Sequence, residues 1–184
     1  RAVRKGLAAC TVSQIDLLEP LLERIRQINI SQSTRQESGA GAETPVARYV
    51  EQADSWRRQM RAEFFLPGRE WIGAFVGDVL AAYMVIYQVE GVRVVERVKS
   101  DTDLLKFRPV DALYYATLQD AVADPACQRI VNGRPSHAGL DRYKEQFLFR
   151  SRVFHYFSSH AEVLRLGVKL EVVIRNWSRL LRRV

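Results

Sequence analysis

One acid in this sequence is placed where it could do chemistry. In VRVVERVK, residues 92–99, strict alternation puts Val92, Val94, Glu96 and Val98 on one side of an extended segment, so a carboxylate falls in an otherwise apolar row. Burial disfavours the charged form and raises a carboxyl pKa, the direction a general base needs near neutral pH. The same side chain could instead pair with Arg97 or Arg129, or be displaced by a bulge. A second group surrounds Phe107-Arg108-Pro109. Proline there opens a helix, and Arg108 with the free amides that begin at Val110 could bind a phosphate, or the segment could be a plain helix cap. Tyr114 and Tyr115 on that helix read as core and cleft lining. Further on, Gly133-Arg134-Pro135 and a polar loop offer acceptor contacts through Gly133 and Arg134. In FHYF, His155 and Tyr156 have opposite side-chain parity. Tyr156 reads as a core residue, and His155 as facing solvent or an acceptor cleft.

Composition limits what these groups can belong to. Only Cys10 and Cys127 are present, with no C-x-x-C and no Cys/His cluster, so neither a disulfide scaffold nor a zinc site has its ligands. The expected chemistry needs no metal, and a reducing cytoplasm suits the chain. No apolar run approaches the roughly 18 residues that span a bilayer. The chain starts at Arg1 rather than Met, which suggests that an N-terminal piece precedes it and that the first strand is incomplete. A formal charge of +7 and a pI near 9.7 favour an anionic partner such as phosphate, nucleic acid or acidic lipid, or serve solubility alone.

The elements that must position these residues follow from periodicity. Ile15, Leu18, Leu21, Leu22, Ile25 and Ile28 predict a helix over 13–30, with a break or fresh start at Pro20. Residues 31–43 have the composition of a loop or lid, and Thr44-Pro45 opens a long amphipathic helix reaching Phe64. WIGAFV, Gly77-Asp78, VLAAYMVIYQV, Glu90-Gly91 and VRVVERVK read as a three-strand antiparallel meander. A helix from Pro109 to Asp124, a short strand QRIVN, a helix opening at Gly139-Leu140 and a closing strand over 151–158 complete a domain over 1–160. Residues 161–184 predict a basic amphipathic helix for packing, dimerisation or peripheral membrane contact.

Four pieces, RAVRKGLAACTV (1–12), GDVLAAYMVIY (77–87), FRPVDALYYATLQDAV (107–122) and IVNGRPSHAGLDRYKEQFLF (130–149), resemble a GNAT-superfamily acyltransferase domain of the FemAB-like branch. There a P-x-x-x-L-Y-Y helix start precedes a G-L-x-x-F-K-x-x-F-G helix. The resemblance implies an α+β, three-layer fold with a mixed, mainly antiparallel sheet flanked by helices. It also implies an enzyme that transfers an acyl or aminoacyl group to an amine. The donor would be acyl-CoA or aminoacyl-tRNA, and the acceptor a small molecule or cell-envelope precursor. It gives Lys144 the part of neutralising phosphate or developing charge. Glu96, Lys144 and Tyr156 form the expected catalytic set, and Phe107, Arg108, Val110, Tyr114 and Tyr115 the donor side. Partners it admits are tRNA and a second copy of the chain; a catalytically silent binding domain is the alternative. Two departures stand out: SDTDLLKFRPV, residues 100–110, has no glycine where acyl-CoA members carry a glycine-rich diphosphate loop, and Leu148 stands where the family often has glycine after phenylalanine.

Overall fold

The computed structural model describes residues 1–31, 34–36, 43–132 and 138–150, with side chains placed for 1–31, 46–47, 49–132 and 141–150. Its centre is the expected meander: β4 (Arg69–Val76), β5 (Val79–Val89) and β6 (Val92–Ser100). Two-residue turns set the register. Gly77 has φ 56°, and Glu90 and Gly91 have φ 49° and 78°, the paired left-handed conformations whose twist matches a tight hairpin. Central β5 is buried on both faces from Leu80 to Ile86, which explains why VLAAYMVIYQV reads as a nearly continuous apolar run.

Two shorter strands complete the sheet, in the order β1-β4-β5-β6-β7. β1 (Thr11–Gln14) pairs antiparallel with β4, and β7 (Arg129–Asn132) pairs parallel with β6. The parallel pair requires a crossover, supplied by α5 (Pro109–Ala123). Helices cover both faces. On one, α2 (Glu19–Ile30) and α4 (Ala53–Phe64) bury Ile25, Ile28, Trp56 and Met60 against Trp71 and Tyr83. On the other, α5 packs Ala112, Leu113 and Tyr114 against Ala82, Met84 and Ile86. This is the α+β architecture that the sequence predicts. Among the described residues, no helix is long and apolar enough to cross a membrane.

Four boundaries differ from expectation. The helix predicted over 13–30 begins at Glu19, with Pro20 in its first turn, and residues before it form β1. Ile15 and Leu18 are buried in the same core as α2, so apolar spacing continues across a change of backbone. Upstream lies α1 (Ala2–Ala9), a helix preceding the first strand. The single helix from Thr44 is two, α3 (Ala47–Glu51) and α4, broken at Gln52 (φ −111°, ψ 31°), while Thr44 and Pro45 belong to β3 (Glu43–Pro45), paired with β2 (Thr34–Gln36). The last helix, α6 (Ala138–Glu145), ends in turns before Phe149. The predicted closing strand and tail helix lie outside the described residues.

Candidate functional site

Glu96 sits at a break in the sheet. Val85 faces Arg97 and Ile86 faces Val95, so Glu96 is an extra residue with no rung opposite it, a β-bulge. Just before it, Val95 pairs with Asn132 of β7. The bulge corrects the expected row. Arg97 and Lys99 oppose Val85 and Tyr83, whereas Val98 packs with Val95 in the core beneath α5. Glu96 therefore does not share an alternating face with Val98.

Among the described residues its ion pair is with Arg69 rather than with Arg97 or Arg129. Arg69 Nη2 donates to Glu96 Oε1 at 2.8 Å, while Arg97 Nη2 pairs with Glu63 Oε2 at 3.0 Å and Arg69 Nη1 lies 3.8 Å from the same oxygen. Two arginines and two glutamates thus form one half-buried cluster. Burial raises the Glu96 pKa above its ordinary value; Arg69 and Arg97 pull it down, and Glu63 pushes it up again. Beside Arg97, a cavity of about 30 Å³ is lined by Asn29, Tyr49, Trp56, Gln59, Met60 and Tyr83, with Asn29 Nδ2 donating to Tyr83 Oη at 3.0 Å.

The predicted donor-side residues gather at the start of α5, on the other face of the sheet. Phe107 and Val110 are half-buried against that core. Arg108 holds a left-handed conformation (φ 60°, ψ 43°) at the helix start, and its carbonyl lies against Gly6 of α1. Tyr114 is buried and its phenol pushed up to about 12 by burial, with Asn132 Nδ2 donating to its oxygen at 2.8 Å. Tyr115 does not line the core, being 39% exposed on the outer side of α5. Lys144 Nζ donates to the Asn132 carbonyl at 3.0 Å, and burial lowers its pKa. The sequence reading passed over Tyr143, one residue before it. Its hydroxyl donates to the buried Asp111 at 3.3 Å, its ring packs edge-on to Tyr114, and burial with the Asp111 charge pushes its pKa up. Gly133, Arg134, His155 and Tyr156 lie outside the described residues.

The turn between β6 and α5 uses its own amides. Asp103 N bonds Asp101 Oδ1, and the amides of Leu104, Leu105, Phe107 and Arg108 bond the carbonyls of Asp101, Thr102, Leu104 and Leu105. Thr102 N bonds Ser31 Oγ. Asp111 adds a carboxylate to the first turn of α5.

This element order and sheet define a GNAT-type fold, the fold of many acetyltransferases. Similar solved structures include a possible acetyltransferase from Clostridium difficile 630, 9% identical, covering 83% of this chain and 98% of that one with a TM-score of 0.63. A ribosomal-protein-alanine N-acetyltransferase from Brucella melitensis biovar Abortus 2308 is 11% identical over 83% of this chain and 99% of its own, TM-score 0.55. The aminoglycoside 6'-N-acetyltransferase AAC(6')-Ih from Acinetobacter baumannii is 13% identical over 83% and 99%, TM-score 0.53. They lend the FemAB-like branch no support. No protein-family model and no curated protein matches the chain.

Acyl-CoA, the donor such a fold implies, would place its diphosphate at this turn. A diphosphate needs several unspent amides and cations with no carboxylate beside them. Here the amides of Asp103, Leu104, Leu105, Phe107 and Arg108 are spent within the turn, which leaves chiefly those of Val110 and Asp111 at the start of α5, where the Asp111 carboxylate also stands. These make less than the run of free amides that forms a glycine-rich diphosphate cradle.

Proposed function

We propose that the protein is an N-acyltransferase that moves an acyl or aminoacyl group from an activated ester or thioester to an amine. One observation carries the reading: at Glu96 a bulge and a half-buried carboxylate with raised pKa coincide. Bulges re-aim side chains and end pairing beside active sites, and a carboxylate tuned upward is suited to accept a proton near neutral pH. Glu96, directly or through one water, takes the proton of the attacking amine. The amine nitrogen forms a bond to the carbonyl carbon, the bond from that carbon to sulfur or oxygen breaks, and the leaving group takes up a proton. Tyr156 is the phenol assigned to supply it. Lys144 and Arg108 would compensate anionic charge on the donor side.

The acceptor is a small molecule or an envelope-precursor amine. The test is acylation of an amine panel by the purified chain, with acetyl-pantetheine and acetyl-CoA as donors, followed by mass spectrometry. Transfer that is lost in Glu96→Gln supports the reading. Equal turnover by wild type and Glu96→Gln would remove Glu96 as the base.

A further inference from the structure

Two touching elements beside the α5 N-terminus carry a cluster of cations that hold no carboxylate among the described residues. Arg1, Arg4 and Lys5 of α1 and Lys106 and Arg108 of the following turn are all exposed, and none of them forms an ion pair among the described residues. Arginines of the opposite face behave differently: Arg24, Arg26, Arg57 and Arg61 each hold a carboxylate. Within residues 1–10 and 101–108 the acids are Asp101, which is buried on Arg24, and Asp103, which is exposed. The elements are locked together, with the Cα of Gly6 so close to α5 that a Cβ there would lie 2.7 Å from the Arg108 carbonyl. Cys10 Sγ lies 3.6 Å from the Phe107 carbonyl oxygen. Apolar side chains stand among the cations, Leu7 at 43% and Leu105 at 45% exposure.

We propose that this surface docks an acidic carrier protein that presents the acyl group as a thioester on a phosphopantetheine arm. The inference rests on the transferase reading and names its donor. A carrier-borne arm keeps the thioester of acyl-CoA and replaces its nucleotide diphosphate with a single phosphodiester to the carrier, so the missing cradle is not needed. The carrier's acidic surface meets the cations of α1 and the turn, which steers encounter and fixes orientation. Leu7 and Leu105 favour a protein over RNA, because exposed leucines add nothing to phosphate contacts but form the apolar centre of a protein interface. In the reaction the amine nitrogen bonds the thioester carbonyl carbon, the carbon–sulfur bond breaks, and the carrier's arm leaves as a free thiol with the proton returned to sulfur.

The experiment measures binding of the full chain to a purified acyl carrier protein bearing an acetylated arm, to acetyl-CoA and to bulk tRNA, at low and high salt. The expected result is carrier binding at least about tenfold tighter than acetyl-CoA, weakened by salt. The triple variant Arg4→Glu, Lys5→Glu, Lys106→Glu, with folding checked by circular dichroism, should weaken it by at least about tenfold more. Acetyl-CoA binding as tight as the carrier, a folded triple variant with unchanged affinity, or tRNA bound in the carrier's place each overturns the proposal. Amine acylation from acetyl-pantetheine with no carrier binding sinks the docking alone. Carrier binding that depends on these cations, without acylation of any amine, keeps the docking and sinks the transferase reading.

Discussion

Replacing Gly6 with alanine puts the packing of α1 on α5 to a test with a worked magnitude. The added methyl would lie 2.7 Å from the Arg108 carbonyl oxygen, 3.1 Å from the Ala112 nitrogen and 3.4 Å from the Ala112 Cβ. The two shortest contacts are to backbone, which cannot rotate away, so α1 must move. Against this, alanine is the better helix former by about 1 kcal/mol. Overpacking costs about 1–3 kcal/mol, and two backbone clashes place this case in the upper half of that range. The net expectation for Gly6→Ala is a loss of about 1–2 kcal/mol, or about 2–8 °C in Tm for a domain of this size. Thermal unfolding by circular dichroism reads the shift, and labelling of Cys10, just past the end of α1, should quicken as the helix lifts. An unchanged or raised Tm would refute the close approach and, with it, the placement of the α1 cations beside the α5 N-terminus.

The remaining tests address the site and its chemistry. Glu96→Gln should lower transfer by about 10²–10⁴-fold while the fold persists, measured by single-donor kinetics beside a melting curve. The same variant should change the pH dependence of stability. Because the folded pKa of Glu96 lies above its ordinary value near 4.5, its protonated form favours the folded state below that value. That contribution is lost as pH rises through the folded value, so wild type should lose stability relative to Glu96→Gln across this window, with parallel curves as the contrary result. Tyr143→Phe leaves buried Asp111 without its phenol donor and should cost about 1–3 kcal/mol in urea unfolding. Burial raises the Cys10 thiol, so a thiol reagent should modify half-buried Cys127 first and reach Cys10 only as the protein unfolds; equal rates in the native state would contradict the burial.

The elements legible in the sequence are those whose signals are local. The meander shows itself through alternation and through Gly77 and Glu90-Gly91 at its turns, and α5 through Pro109 at its start and Pro125 after it. β1 was hidden because TVSQ is a four-residue edge strand in which only Val12 is partly buried, too little pattern to outweigh the helical spacing that runs on from Ile15. α1 was hidden by a glycine in the middle of eight residues, a poor helix signal that the close approach to α5 explains. At the site, the residue type and strand of Glu96 were legible, but its surroundings were not. A bulge is a property of the register between two strands, and the partner Arg69 lies 27 residues away in sequence. Tyr143 could have been noticed from its place in the helix that carries Lys144. Its role depends on Asp111, on another helix, which no spacing within DRYKEQF reveals.

The missing diphosphate cradle and the position of Glu96 have a common physical origin in how β6 ends. Beyond Ser100 the chain is tied to α2: Arg24 pairs with Asp101, Thr102 Oγ1 donates to the Ser31 carbonyl at 2.7 Å, and Ser31 Oγ accepts from Thr102 N. Asp101 N also bonds the Ala81 carbonyl, which continues the β5–β6 ladder into the turn. These bonds hold the start of the turn against the α2 face, and the remaining residues close into a short 3₁₀ helix, Leu105–Phe107, that spends amides an anion would need. Opening the turn to receive a diphosphate would break the Thr102 contacts and expose Asp101, a carboxylate buried at 6% exposure with Arg24 as its partner. Leaving a buried ionised group unpaired is strongly destabilising, so the turn resists that rearrangement. The same anchoring pins the C-terminal half of β6, on which the bulge and Glu96 lie. A rigid carboxylate and a closed phosphate turn are therefore two results of one set of bonds, and a donor suited to this chain must reach Glu96 without asking the turn to open.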